Sequence, residues 1–379
     1  MRIRVVLTLL LVLCLAPLGA DGAEKKKKVI FDQDHEGVIG GNGSPLVMLL
    51  AADNIEVLGV TVGTGNGWLK QEVEDALKTL EIMGREDIPV YAGAEYPLVD
   101  TREEMMLRHK LYGGHRLDPF LGAYAERDPG PDVVNPPPGG YAKNRPAKGH
   151  AAEFIIKAIR ENPGEVILYC GGALTNVALA ISIAPDIVPL TKELVFMGTS
   201  PHHHSRTVNV IYDPEAAKIA LRAPWPKVTL VTVDIAEKVH MSLELAQAIA
   251  NGQNKTVGEL HREAYIERYK VNPDMSWFRM PDEMTAAYII EPTIFTEVKR
   301  MYVDIDTTPG INYGGSQFWD EVVLGYGGRP WDETPHQGFG SQKPTPTPRA
   351  RVANVLWDLD QERFKALFVD LMTQPLKGK

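Results

Sequence analysis

The sequence predicts an α/β protein with a mainly parallel, open sheet flanked by helices, extended by added helices and a long loop insertion. Apolar, β-prone runs alternate along the chain with segments of helical periodicity, which is typical of parallel sheets covered on both faces. The first unit spans residues 29–66 and contains a strand at 29–31, a glycine-rich acidic loop, a helix at 46–52 and a second strand at 55–62. Polar residues follow both strands. Open α/β sheets place ligand sites at such carboxyl edges.

The same alternation continues after residue 66. Helical periodicity predicts helices at 73–83, 151–160 and 213–223, and mainly helical structure from 242 to 302. Apolar runs predict strands just after Asp87 and at 165–170, 193–197 and 227–234. A last strand and helix are predicted from residue 351 onward. Together these elements indicate one domain over residues 24–379.

Residues 95–148 interrupt the pattern. This stretch has no clear periodicity and is rich in Pro, Gly, Arg, Tyr and His, including the triplet at 136–138. Long connections without regular structure are often functional. We therefore interpret residues 95–148 as an insertion, and as a lid over the sheet edge.

Residues 1–23 are typical of a signal peptide. Arg2 and Arg4 precede a short apolar core, and Ala20 and Ala23 offer small-residue cleavage sites. The core is too short to favour a membrane anchor, and lipid attachment at Cys14 is a weaker alternative. The segment thus predicts export to a periplasm or to the medium. Removal would leave Cys170 as the single thiol, so no internal disulfide could form.

The formal charge of the chain is −9. An acidic balance argues against a nucleic-acid partner, which requires a basic surface. It is compatible with a small-molecule ligand at the polar edge.

Several oxygen-bearing side chains fall at predicted strand ends or helix starts. They are Asp32, Asp34, the Thr175-Asn176 turn, Asn209 and Asp282. Carboxylates and backbone carbonyls suit a hard cation such as Ca²⁺, which can activate water while a carboxylate takes its proton. Amides suit sugar hydroxyls, because they both donate and accept. The residues indicate a metal-assisted hydrolase of a polyhydroxylated substrate, although Asp32-x-Asp34 alone is equally compatible with a simple helix-capping turn.

The order of motifs resembles the inosine/uridine-preferring nucleoside hydrolase family. The resemblance is carried by NIEVLGVTVGTGN, IPVYAGAEYPL, PGEVILYCGGALTNVALAI, NVIYDPEAAKIAL and DEMTAAYIIEPTIFTEV, which occur consecutively between residues 28 and 375. It implies a Rossmann-related fold, a nucleoside or related riboside as the small-molecule partner, and hydrolysis of its N-glycosidic bond. It also implies a homo-oligomer.

The resemblance further implies roles for individual residues. Asp34 would be the general base and a Ca²⁺ ligand, with Asp32 in support. Thr175 would bind Ca²⁺ through its backbone carbonyl and Asp282 through its carboxylate. Asn66 and Asn209 would hold the ribose hydroxyls.

The chain departs from the family pattern in its first loop. Gly41 and Asn42 stand where the family has paired aspartates, so Asn42 would supply one uncharged oxygen to the metal. Glu36 is a candidate replacement ligand in a loop that is longer than usual, the alternative being a solvated acid.

Three further departures concern the substrate. Thr207 stands where the family has a ribose-binding glutamate and is a candidate substrate contact, and Pro281 replaces a histidine that would protonate a purine leaving group. Within the histidine run at 202–204, His203 is a candidate acid or sugar ligand, against the simpler interpretation of an exposed loop.

Three hypotheses therefore remain open at the level of sequence. The favoured one is an exported, Ca²⁺-dependent hydrolase of a nucleoside or related N-riboside with a remodelled metal loop. The second is a weakened relative that binds a sugar-like ligand without cleaving it. The third keeps the fold and changes the substrate to another glycoside.

Overall fold

The structure is a computed structural model that describes residues 25–113, 122–124, 129–202, 206–274, 278–320 and 350–375. The predicted signal segment at 1–23, His203, and a Pro-Thr-rich stretch at 343–348 lie outside the described residues.

The described residues form one nine-stranded sheet, and its order agrees with the predicted open α/β class. The strands are β1 (Lys27–Gln33), β2 (Ile55–Val62), β3 (Val90–Ala92), β4 (Val166–Cys170), β5 (Glu193–Met197), β6 (Val228–Val231), β7 (Glu297–Ile305), β8 (Ser316–Asp320) and β9 (Arg351–Asp358). Their order is β3-β2-β1-β4-β5-β6-β9-β7-β8. The first seven are parallel neighbours, whereas β7 is antiparallel to both β8 and β9.

Helices connect these strands. They are α1 (Ser44–Ala51), α2 (Leu69–Ile82), α3 (Arg102–Tyr112), α4 (Ala151–Glu161), α5 (Thr175–Ile183), α6 (Val208–Ile211), α7 (Pro214–Arg222), α8 (Val233–Ala236), α9 (Leu243–Ala250), α10 (Lys255–His261), α11 (Glu267–Val271), α12 (Pro281–Ile290) and α13 (Gln361–Thr373). Within the described ranges, none is long and apolar enough to serve as a membrane span.

Two apolar clusters cover the two faces of the sheet. Val29 and Phe31 of β1 belong to the cluster that includes α1, α2, α9, α12 and α13. Ile30 belongs to the opposite cluster, with α4, α5 and α7. Successive side chains of a strand point to opposite faces, so an uninterrupted apolar run is what a strand buried on both faces requires.

Strand register brings distant polar segments to one edge. Asp32 lies beside Thr61 of β2 and Cys170 of β4, and Gln33 lies beside Val62. The segments that leave these strands, at 34–44, 63–68 and 171–175, therefore emerge together at the carboxyl end of the sheet. This is the edge that the sequence predicts as the site.

The insertion at 95–148 is more ordered than predicted. It contains α3, whose only buried residue is Met105, so the helix lacks the apolar stripe that would have indicated it. Its later part covers α2, where the backbone amide of Ala142 donates to the Glu74 carboxylate and the amide of Asn135 donates to Gln71 Oε1, at 2.6 Å.

Two other predictions of secondary structure are wrong. Residues 297–302 form most of β7 rather than helix, since this strand exposes Glu297, Val298 and Arg300 and shows no simple alternation. The strand predicted at 227–234 ends at Val231, because Thr232 caps the short helix α8 by accepting from the backbone amide of Ile235.

A histidine lies against the apolar cluster that contains Tyr265 and Phe368. His261 at the end of α10 is fully buried, and its ring centroid lies 5.2 Å from that of Tyr265 and 6.2 Å from that of Phe368. Burial lowers the pKa of His261 to about 3. The folded protein therefore holds this imidazole neutral over a pH range in which the unfolded chain would protonate it.

This burial predicts an acid-sensitive contribution to stability. Below the unfolded pKa of ~6.5 only the unfolded state gains a proton, so stability falls as the pH is lowered toward 3, by about 2 kcal/mol between pH 7 and pH 5. Urea unfolding at both pH values should show that His261→Phe loses about 2 kcal/mol less than wild type over this interval. Equal losses would contradict the assignment. His35, also buried with a pKa lowered to about 3, is present in both proteins and cancels.

Candidate active site

Asp34 follows β1 and is a fully enclosed carboxylate of the sheet edge, with 2% of its surface exposed. Its Oδ2 accepts from the backbone amide of Asn66 at 3.0 Å. A Cβ added to Gly65 would lie 2.3 Å from Asp34 Oδ2, and one added to Gly172 would lie 2.7 Å from the Asp34 backbone nitrogen. Both contacts are far below the van der Waals distance, so these two glycines are required for the loops after β2 and β4 to close around Asp34.

Asp282 reaches the same place from the first turn of α12. Gln33 joins the two acids, because its Nε2 lies 3.3 Å from Asp34 Oδ1 and 3.3 Å from Asp282 Oδ2. Asn42 Nδ2 also donates to Asp282 Oδ2, at 3.2 Å. Asp34, Asn42 and Asp282, three predicted metal ligands from distant parts of the chain, thus lie in one hydrogen-bonded cluster around Gln33.

Asp32 faces a different set of partners. Its Oδ1 accepts from Thr61 Oγ1 at 2.6 Å and from Asn176 Nδ2 at 2.9 Å. The Asn176 Oδ1 in turn accepts from the backbone amide of Ala94 at 2.9 Å. Asp32 therefore ties β1 to β2, to the loop after β3 and to the start of α5, and its hydrogen bonds do not reach Asp282.

Thr175 opens α5 in the turn that Asp32 and Asn176 hold in place. Its hydroxyl donates to Asp213 Oδ2 at 2.8 Å. Asp213 Oδ2 also accepts from the backbone amide of Leu98 in the insertion. Asp213 also caps α7. The predicted metal-binding turn is thus braced by the insertion and by α7.

Asn209 and Thr207 lie on the loop and short helix after β5. The Asn209 amide nitrogen donates to the carbonyl oxygens of Gly171 and Met197, which places Asn209 directly beside the turn after β4. The Thr207 hydroxyl donates to the carbonyl of Gly198, so its partner lies within its own loop.

Asn66 and Glu36 border the cluster. Asn66 is half-buried and holds Asp34 through its backbone amide, so its side-chain amide is not used in this contact. Glu36 has a raised pKa, first because of burial and then because of the charge of Asp75. The charge of Arg268 acts in the opposite direction to that of Asp75, and the role of Glu36 as a replacement ligand stays a prediction.

Glu72, in the first turn of α2, is a site residue that the sequence analysis missed. It is fully buried, its Oε1 accepts from the backbone amide of Gly67, and its Oε2 has no hydrogen-bond partner. Asn66 and Gly67 thus donate consecutive amides to Asp34 and Glu72. The sequence offered one indication of Glu72, an acid in the first helical turn after the Gly65-Asn66 loop. An acid at this position usually indicates only a favourable interaction with the helix dipole.

The electrostatics of the cluster are strongly acidic. Burial raises the pKa of Asp282 to about 8. Burial and the charge of Asp282 raise the pKa of Asp34 well above its usual range, and burial together with Asp34 does the same for Glu72. Buried like charges are costly unless they are protonated or neutralised by a cation.

The donor set fits a hard cation only when amide oxygens are included. In the part of the chain that the structure describes, no three His, Cys, Asp or Glu side chains meet in a metal-holding arrangement. Two carboxylates and two carboxamides meet instead, and two buried oxygens, Asp282 Oδ1 and Gln33 Oε1, have no hydrogen-bond partner. Oxygen donors of this kind suit Ca²⁺, with less negative charge than a cage of carboxylates would supply.

An aromatic cluster lies beside the acidic one. The Tyr124 ring centroid lies 5.6 Å from that of Trp68 and 5.4 Å from that of Tyr212, and the backbone amide of Ala123 donates to the carbonyl of Gly65 at 2.9 Å. The insertion therefore contacts the same loop that holds Asp34, and its role as a lid stays a prediction.

Comparison with known proteins connects this geometry to a family. The family model described as inosine-uridine preferring nucleoside hydrolase matches residues 29–366. The chain is 29% identical over 297 residues to the inosine-uridine preferring nucleoside hydrolase of Crithidia fasciculata, covering 76% of this chain and 86% of that protein. It is also 29% identical over 292 residues to the pyrimidine-specific ribonucleoside hydrolase RihA of Salmonella agona, covering 74% and 84%.

Solved structures show the same fold. A plant nucleoside hydrolase aligns with a TM-score of 0.69 at 21% identity, over 92% of this chain and 99% of that one. A purine-preferring ribonucleoside hydrolase from Gardnerella vaginalis aligns with a TM-score of 0.66 at 22% identity, over 92% and 98%. The order of the sequence motifs, the family model and the fold agree, and the chain belongs to the inosine-uridine preferring nucleoside hydrolase family, whose members hydrolyse N-glycosyl bonds.

Proposed function

We propose that this protein is an exported, Ca²⁺-dependent hydrolase that cleaves the N-glycosidic bond of a nucleoside or related N-riboside. The observation that carries the proposal is the meeting of Asp34 and Asp282, which are distant in the chain and share Gln33 as a hydrogen-bonding partner. They meet beside asparagines from two other loops. This is the combination that water activation next to a bound pentose requires.

Asp34 is the proposed general base. The Asn66 amide holds its Oδ2, the backbone at Gly65 and Gly172 packs closely against it, and its Oδ1 lies on the side where Gln33 links it to Asp282. Its raised pKa makes it a better proton acceptor than an exposed aspartate. A rigid base of this kind takes the proton of the attacking water without rearrangement.

Asp34, Asp282, Asn42 and the backbone carbonyl of Thr175 are the proposed metal ligands, with Asp32 fixing the turn that carries Thr175. When bound, Ca²⁺ would lower the pKa of a coordinated water and offset the charge of the buried acids. Asn66 and Asn209 are the proposed contacts to the ribose hydroxyls. Asn209 already uses its amide nitrogen on two backbone carbonyls, so its side-chain oxygen is the atom that a hydroxyl would meet.

The proposal is tested by ribose release. The purified chain lacking residues 1–23 should release ribose from at least one of inosine, uridine and p-nitrophenyl riboside in the presence of Ca²⁺. A chelator should abolish release, and excess Ca²⁺ should restore it. Since the cluster holds only two carboxylates, we expect weak Ca²⁺ binding, with a Kd of about 10⁻⁴–10⁻³ M by calorimetry. Heat of ribose or nucleoside binding without any release would favour the weakened, ligand-binding relative instead.

Restoring a carboxylate next to Asp282 should strengthen metal binding. Asn42→Asp replaces the donor that lies 3.2 Å from Asp282 Oδ2 with a third acid, so we expect Ca²⁺ affinity to rise by about tenfold and the thermal midpoint in chelator to fall. Calorimetry and thermal unfolding measure both effects. Asn251→Asp, which makes the same charge change at the exposed C-cap of α9, should leave the Ca²⁺ affinity unchanged. An unchanged Ca²⁺ affinity in Asn42→Asp would remove Asn42 from the proposed ligand set.

Export rests on the segment at 1–23 and is tested separately. Expression of the full chain in a bacterial host with a Sec pathway should yield a periplasmic product whose amino terminus follows Ala20 or Ala23. Recovery of the intact amino terminus in the cytoplasmic fraction would contradict export and would leave the proposed activity unaffected.

A further inference from the structure

Gln33 occupies an unusual place for a neutral side chain. It is the last residue of β1, it is 1% exposed, and its amide group lies between the carboxylates of Asp34 and Asp282. Neither the sequence motifs nor the comparisons assign it a role. Its amide group thus stands where a group bound by both acids at once would stand.

In its present orientation, only one of the two polar atoms of the Gln33 amide has hydrogen-bond partners. Nε2 lies 3.3 Å from an oxygen of each acid, whereas Oε1 is buried without a hydrogen-bond partner. An unpaired buried carbonyl costs about 1–3 kcal/mol. A carboxamide exchanges the positions of its donor and its acceptor by a 180° turn about its last bond. Such a turn would place Oε1 between the two acids and Nε2 where Oε1 now lies.

The turned amide would be better matched to its surroundings once a cation lies between the acids. Nε2 would then move to the side where Oε1 now lies, next to Gly171 and the Tyr169 hydroxyl. Both Oε1 and the Tyr169 hydroxyl lie within 3 Å of the position that a Cβ on Gly171 would take, and this hydroxyl donates to the carbonyl of Asp282 at 3.3 Å. Oε1 would in turn face the cation, which attracts a carbonyl oxygen and repels an NH₂ group.

Gly171 is what makes room for this side chain. A Cβ at this position would lie 1.6 Å from Gln33 Oε1, so any residue other than glycine would expel the amide from the cluster. The buried amide is therefore built into the turn after β4 and is not an incidental surface contact.

We propose that Gln33 is a direct ligand of the cation, through its side-chain oxygen after a 180° turn of the amide, and that it supplies an oxygen donor that the loop at 41–42 lacks. This inference rests on the proposed Ca²⁺ dependence. The inference goes beyond that proposal because it names a further metal ligand, on β1 and one position before the proposed base.

The first test is calorimetry with CaCl₂ on the chain lacking residues 1–23, without nucleoside. Gln33→Leu keeps the side-chain size and removes the oxygen, so we expect the Kd for Ca²⁺ to rise by about tenfold or more. Gln33→Glu adds a charged oxygen at the same place, and we expect the Kd to fall by about tenfold. Gln247→Glu and Gln247→Leu, on the exposed side of α9, are the matched controls and should leave the Kd unchanged.

The second test observes the amide itself. In protein labelled with ¹⁵N-glutamine, the side-chain resonance that disappears in Gln33→Glu should shift on saturation with Ca²⁺, while that of Gln247 should not. Should Gln33→Leu fail to fold, the Gln33→Glu titration and this resonance decide the question.

The outcomes separate the two proposals. Unchanged or tighter Ca²⁺ binding in Gln33→Leu, with Asp34→Asn weakened, would overturn the role of Gln33 and keep the metal site. Tighter binding in particular would mean that the amide competes with the cation for the carboxylates. No Ca²⁺ binding by the wild-type chain would overturn both the proposed cofactor and this inference.

Discussion

Two buried carboxylates from distant parts of the chain face one small space. The hydrogen bonds around them offset the free-energy cost of bringing the two acids together. Asp34 and Asp282 are nearly inaccessible to solvent, and each raises the cost of charging the site. Bringing one partner of such a pair out of water costs several kcal/mol unless hydrogen bonds or an opposite charge compensate. Backbone and carboxamide donors supply the hydrogen bonds here, from the Asn66 amide, Gln33 and Asn42.

The parallel sheet makes this arrangement rigid. Its strands end at the same edge, so short loops suffice to bring acids, amides and glycines together. Asp32 adds a second layer, because one buried oxygen holds both Thr61 and Asn176, and Asn176 extends the connection to the loop after β3. Asp34, the proposed base, therefore lies on a platform that hydrogen bonds brace across three strands, which favours precise positioning over adaptation.

The sequence is informative wherever a local pattern carries the signal. The apolar run before Asp32, the glycines after it and the strand that ends before Gly63 specify the first β-α-β unit, and the order of motifs specifies the family. β7 is missed because its exposed Glu297 and Arg300 interrupt the apolar pattern, and α3 because it buries Met105 alone. Gln33 and Glu72 are missed for a different reason: their roles come from partners across the sheet edge, and nothing in their local sequence distinguishes them from an ordinary strand residue and a helix-starting acid.

The acids around the site relate the proposed metal binding to the proposed export of the chain. The loop at 41–42 carries no acid, while Glu72 and Asp75 on α2 keep the surroundings of Asp34 and Glu36 acidic. Acids that lie near the cluster without joining it raise the local attraction for a cation but add no coordination, because attraction acts over several ångströms whereas coordination requires contact. The proposed metal site would therefore attract cations readily and hold them weakly. Weak holding is sufficient where Ca²⁺ is abundant, as it is outside the cytoplasm, so the proposed export of the chain and its carboxylate-poor metal loop are physically compatible with one another.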